Sequence, residues 1–170
     1  FKYALALIES RRWDTRAQKG KEAEAAKSLA YKLSNLSQVC RLSMVKDLAE
    51  VVKLMDVHAM QPDPETAVQV LELIKAMDKQ EAKYNGSKIV GEFNKAPSLD
   101  FADMVYFPAS KGREWVWEQF DYVFVDEAQD LSLSQWKFAH IAFANAQRIY
   151  VAGDDDQGIY QWSGAAVDYF

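Results

Sequence analysis

The spacing of apolar positions changes character near residue 95. From Leu36 onward, Leu36, Cys40, Met44, Leu48, Val51/Val52 and Met55 recur every three or four residues. That period places them on one face of a helix. Upstream, "YALALIESRRW" (3–13) reads as a short helix, and "KEAEAAKSLAYKL" (21–33) is rich in helix formers. "QPDPET" (61–66) breaks the chain and restarts it, with Asp63 suited to cap a new helix and Pro64 to its first turn. That helix runs through Val68, Leu71, Ile74 and Met77 and meets a stop signal at Asn85-Gly86.

The second part alternates differently. "NGSKIVGEFNKAPS" (85–98) reads as a linker. "SLDFADMVYF" (98–107) predicts a short helix capped by Ser98 and ended by Pro108 and Lys111-Gly112. "YVFVD" (122–126) and "RIYVAG" (148–153) are short apolar runs, expected as buried strands. Between them, "LSLSQWKFAHIAFANA" (131–146) has helical spacing through Leu133, Trp136, Ala139/His140 and Phe143. Strand, helix, strand predicts a βαβ unit with parallel strands. The chain is thus expected to be α/β, with a helical subdomain over 1–95 and the strand-bearing part over 96–170.

Composition adds bounds. The 170 residues are 49% hydrophobic, enough for a folded core. No apolar run approaches the roughly 20 residues of a membrane span. A single cysteine, Cys40, excludes an internal disulfide and fits a core thiol in a reducing, cytoplasmic setting. No signal peptide is recognisable, and a first residue that is not Met suggests a piece of a longer protein. Charge is uneven: residues 1–95 hold 16 Lys/Arg and 13 Asp/Glu, whereas residues 96–170 hold 4 and 12. The first part can meet a polyanion and the second concentrates carboxylates.

Those carboxylates follow the strands. "DEAQD" (126–130) ends the first strand and "GDDDQ" (153–157) ends the second. Ligands of open parallel sheets bind at the carboxyl ends of the strands. Two acidic loops there suit a divalent cation on a nucleotide triphosphate, offsetting the charge of Asp126. Glu127 would then be free to orient or deprotonate a water, and Gln157 to sense the γ-phosphate without adding charge. The bland alternative is a solvated turn with Asp130 near a helix N-terminus. His58 and His140 have no metal-ligand spacing and read as structural; Trp115 and Trp117 read as packing residues. The stretch "RRWDTRAQKGK" (11–21), with Arg11, Arg12 and Arg16, is either a phosphate-tracking segment or a solvated helix end.

"VFVDEAQDLS", followed about 20 residues later by "VAGDDDQGIYQWSGA", resembles motifs II and III of the UvrD/Rep family of superfamily 1 helicases. "SLDFADMVYFP" is similar to that family's segment before motif II. The resemblance spans roughly residues 98–166; residues 1–95 are similar only in position and helicity to the family's 1B insertion. It implies part of a RecA-like, parallel-sheet P-loop NTPase domain, with ATP and Mg2+ as cofactors and single-stranded or partly duplex DNA as partner. It implies that Asp126 holds magnesium, Glu127 is the catalytic base, Gln129 belongs to the nucleotide site and Gln157 reports the γ-phosphate. Trp162 would stack on a DNA base, whereas Tyr160 reads as packing under its loop.

The pattern also departs from the family. No Walker A loop is present: Gly86 and Gly91 have its spacing, but Glu92 and Phe93 stand where Lys and Ser/Thr belong. The family's later motifs are absent, Ser163 stands where arginine is frequent and Gly158 where serine is. The isolated chain is therefore expected to be inactive as an ATPase and to depend on further helicase domains. A helicase-nuclease subunit, a non-catalytic nucleic-acid-binding module derived from a helicase and a metal-dependent nuclease remain as alternatives.

Overall fold

The computed structural model describes residues 21–85, 100–111, 120–158 and 165. The elements, in chain order, are α1 (Lys21–Leu42), α2 (Leu48–Val57), α3 (Pro64–Asn85), α4 (Phe101–Lys111), β1 (Tyr122–Val125), α5 (Leu133–Ala142) and β2 (Arg148–Val151). Short 3-10 turns at Ala128–Asp130 and Asp155–Gln157 follow the two strands. Among the described residues, 21–38 with 46–85 form one compact unit, and 39–45 with the residues from 100 onward form another. The expected helix over 3–13 and linker over 85–98 lie outside the described residues, apart from Asn85 at the end of α3.

The helical unit is built on one apolar face per helix. Leu33 and Leu36 of α1, Val51 and Met55 of α2, and Val70 and Leu73 of α3 are all buried. Taking a side chain of this kind out of water is worth about 1.5–3 kcal/mol. Asp63 starts α3 as the sequence predicts: its carboxylate accepts the Glu65 and Thr66 amides at 3.1 and 3.2 Å and the Thr66 hydroxyl. Pro64 is the first helical residue, where a missing N–H is harmless.

The continuous period through Leu36–Met55 predicts one helix, but the chain breaks it in two. Met44 adopts φ 53°, left-handed, and the Val45 amide reaches back to the Cys40 carbonyl at 2.9 Å. That pairing closes the end of α1, and Asp47 opens α2 by accepting the Glu50 amide at 3.0 Å. The break leaves the apolar period intact, so periodicity alone cannot reveal it.

In the strand-bearing unit, β1 and β2 pair in parallel, with Tyr122 opposite Arg148 and Val125 opposite Val151. The βαβ order is as expected, with α5 between the strands. The burial is not. Of β1 only Val123 is buried, at 7% exposure, while Phe124 is 75% exposed and β2 is exposed throughout. A parallel strand is buried when layers cover both of its faces, and among the described residues these two strands pair only with each other. Phe124 and Tyr150 instead stack on one another, ring centroids 5.1 Å apart.

Helix α4 departs from expectation in its cap and at Pro108, and it ends at the expected Lys111. Ser98 lies outside the described residues. The capping is done by Asp100, which accepts the Asp103 amide at 2.8 Å while Asp103 accepts the Asp100 amide at 3.1 Å. Pro108 does not end the helix, which continues to Lys111. An interior proline costs about 3 kcal/mol, and the burial of Phe107 and Ala109 on either side offsets it. No helix among the described residues is long and apolar enough to cross a membrane.

Candidate functional site

Parallel pairing sets the loop after β1 beside the loop after β2. The Ala152 amide donates to the Val125 carbonyl at 2.8 Å, and the Ala128 amide returns to the Ala152 carbonyl at 3.0 Å. Asp126 and Glu127 therefore leave the carboxyl end of β1 alongside the segment that carries Asp154 and Gln157. Glu127 sits at φ 52°, ψ 43°, a left-handed conformation uncommon for glutamate. Such backbone strain persists only where surrounding contacts over-determine it. The Asp126 carboxylate accepts the Glu127 amide at 3.0 Å, and the turn closes with the Asp130 amide on the Glu127 carbonyl at 3.0 Å.

The loop then feeds α5 through a capping box. Ser132 accepts the Gln135 amide at 3.4 Å, and the Gln135 side chain accepts the Ser132 amide at 2.8 Å. This fixes where the helix starts and thus how the 126–130 turn is held between strand and helix.

Gln129 is buried, 2% exposed, among exposed acidic neighbours. Its Nε2 donates to Glu127 Oε2 at 2.6 Å, and its Oε1 accepts the Asp154 amide at 3.0 Å. Asp154 in turn folds its own loop. Oδ1 accepts the Asp156 amide at 3.1 Å, and Oδ2 accepts Gln157 Nε2 at 2.6 Å. The structure thus brings Asp126, Glu127, Gln129 and Gln157 to one edge, with Gln157 turned onto Asp154 and not onto Glu127. Trp162, Arg11, Arg12 and Arg16 lie outside the described residues, as do Tyr160, Ser163, Trp115 and Trp117.

Asp154 is the residue the sequence reading passed over. The available signal was an aspartate two residues ahead of a main-chain donor, the usual arrangement of a side-chain-closed turn. The carboxylates of Asp154, Asp155 and Asp156 lie within 4.8 Å of one another and all three residues face water.

The donor set suits magnesium. Among the described residues, Asp126 accepts one hydrogen bond, at Oδ1, and its other oxygen remains available. Magnesium takes oxygen ligands, keeps several waters and needs only one or two carboxylates beside phosphate oxygens. The exposure of Asp126 leaves room for both.

Over 73 residues the chain is 37% identical to the ATP-dependent DNA helicase Rep of Salmonella typhimurium, covering 39% of this chain and 11% of that protein. The Rep helicase of Escherichia coli K12 is 36% identical over the same length, with the same coverage. That of Buchnera aphidicola subsp. Acyrthosiphon pisum is 31% identical over 106 residues, 59% of this chain and 16% of that protein. The matches thus span between 11% and 16% of these curated relatives. A family model, UvrD/REP helicase N-terminal domain, matches residues 6–170. With nearly its whole length matched, the chain belongs to the UvrD/REP helicase N-terminal domain family.

Proposed function

We propose that these residues carry the hydrolytic edge of an ATP-dependent DNA helicase that moves on single-stranded DNA and separates duplexes. Residues 96–170 are the motif II and III part of its first RecA-like domain, and 1–95 correspond to a 1B-like subdomain. The observation that carries this reading is the juxtaposition of two adjacent carboxylates, Asp126 and Glu127, with the Gln157 loop at the carboxyl ends of parallel strands. A lone acidic turn does not need a neighbouring strand to bring a neutral amide to the same edge.

Each residue has a separate task. Asp126 is the ligand for magnesium, which when bound offsets the charge of the triphosphate. Glu127 orients the attacking water and accepts its proton as the water oxygen bonds to the γ-phosphorus and the bond to the β–γ bridging oxygen breaks, with ADP as the leaving group. Gln157 exchanges its bond to Asp154 for one to the γ-phosphate, signalling nucleotide state to the following segment. Trp162 in that segment stacks on a base, a contact worth about 1–3 kcal/mol that needs no particular sequence.

The chain has no G-x-x-x-x-G-K-[ST] loop to cradle phosphates, so these 170 residues alone do not turn over ATP. The test is ATP turnover with magnesium and oligo-dT, for this chain and for the complete helicase, each beside its Glu127→Gln variant. The expected result is no turnover by the chain and turnover by the complete protein that Glu127→Gln abolishes. Single-stranded DNA affinity should survive Glu127→Gln but weaken in Trp162→Ala. A complete protein that hydrolyses ATP normally with Glu127→Gln would overturn the assignment.

A further inference from the structure

Gln129 is the one buried amide side chain at an otherwise exposed acidic edge, among the described residues. A glutamine amide offers a donor and an acceptor on one rigid plane. Here both are committed across the two loops: the nitrogen to the Glu127 carboxylate at 2.6 Å, the oxygen to the Asp154 amide at 3.0 Å. Asp154 then holds the Gln157 amide at 2.6 Å. A continuous line therefore runs Glu127–Gln129–Asp154–Gln157, joining residues 30 positions apart in sequence.

Three observations give that line a purpose. Glu127 is exposed, so its side chain has little packing to hold it in one rotamer. Its backbone is left-handed, which aims the side chain in a direction that an ordinary turn would not. And Gln129 contributes no charge to an edge already crowded with Asp126, Glu127 and Asp130 on its own loop and Asp154, Asp155 and Asp156 on the next. A lysine or arginine in its place would bring a cation that competes with magnesium for the same carboxylates.

We propose that Gln129 is a positioning residue that fixes the Glu127 carboxylate with its nitrogen and locks the loop carrying Gln157 with its oxygen, so that base and phosphate sensor move as one. Gln129 touches neither water nor phosphate in this role; it acts through Glu127 and Asp154. The proposal rests on the reading of Glu127 as the catalytic base. A mere structural latch would change stability and leave the balance of kcat and KM alone.

Two variants separate the two halves of the amide. Gln129→Met removes donor and acceptor at nearly constant volume. Gln129→Glu keeps an acceptor for the Asp154 amide but cannot donate to Glu127. In the complete helicase, both should lower kcat for ATP about ten- to a hundredfold, with KM for ATP changed less than about threefold. Amide hydrogen exchange, read without nucleotide or metal, should speed up at Asp154 in Gln129→Met and stay slow in Gln129→Glu. Either variant with kcat within about twofold of the parent, while Glu127→Gln is dead, overturns this proposal and leaves the proposed function standing. Unchanged Asp154 exchange in Gln129→Met also overturns it. Turnover that survives Glu127→Gln removes the reading beneath it. If Gln129→Met loses its cooperative unfolding transition, Gln129→Glu carries the test alone.

Discussion

Arg41 and Asp103 lie 62 positions apart and pair in the interior, their side chains 1% and 2% exposed. The same guanidinium reaches Asp100 with both nitrogens, at 3.0 and 2.7 Å, so it joins the two carboxylates that cap α4. Burial pushes the Asp103 carboxyl up from its ordinary value, and Arg41 pulls it back down. A buried charge of this kind is tolerated only with its partner in place.

Removing Arg41 should therefore be among the most damaging single changes in the chain. Arg41→Ala leaves Asp103 buried without its cation, and losses from breaking a buried pair run to about 3–5 kcal/mol. Urea denaturation followed by circular dichroism measures this. A loss below about 1 kcal/mol would mean that water reaches the carboxylates freely.

Cys40 is fully buried, and burial pushes its thiol up to about 12 despite the neighbouring Arg41. It should resist iodoacetamide at pH 8 until the chain unfolds, because the reactive species is the thiolate. The linkage has a definite sign. The folded pKa lies above the unfolded one, so the contribution is complete below the ordinary thiol range and is lost as pH rises towards about 12. Between those limits the wild type should lose stability relative to Cys40→Ala, by at most about 1.4 kcal/mol per pH unit. Paired thermal melts from pH 8 to 11 would show it, and parallel curves would contradict it.

Asp63 has the opposite sign. Its hydrogen bond from the Thr66 hydroxyl, with those from the Glu65 and Thr66 amides, holds its carboxyl below the ordinary value. Its contribution is present above the usual carboxylate range and is lost as pH falls through the lowered value. Asp63→Asn should lower stability at neutral pH and flatten the acid limb of the stability curve, so that the two curves converge as pH falls. An acid limb identical to that of the parent would remove Asp63 from the account of acid unfolding.

How much of this was legible beforehand follows from the range of each interaction. Asp63 and Pro64 at the start of α3 could be read directly, because a cap is satisfied by residues two and three positions away. The same holds for the strand–helix–strand order and for the strings around Asp126 and Gln157, which carried the family resemblance. The break at Met44 escaped because the apolar spacing continues unbroken across it. Pro108 misled because local chemistry predicts an end, whereas the burial of Phe107 and Ala109 carries the helix past it.

The sequence by itself determined which residues bear charge, where helices can begin and which carboxylates follow each strand, since those depend on near neighbours. Tertiary structure alone decided that Gln129 spans two loops, that Arg41 answers Asp100 and Asp103, and that Phe124 and Tyr150 stack in the open. Each joins residues 25 or more positions apart. No local period or propensity encodes such a partner; only the closing of the chain, which brings distant polar and aromatic groups within contact distance, selects it.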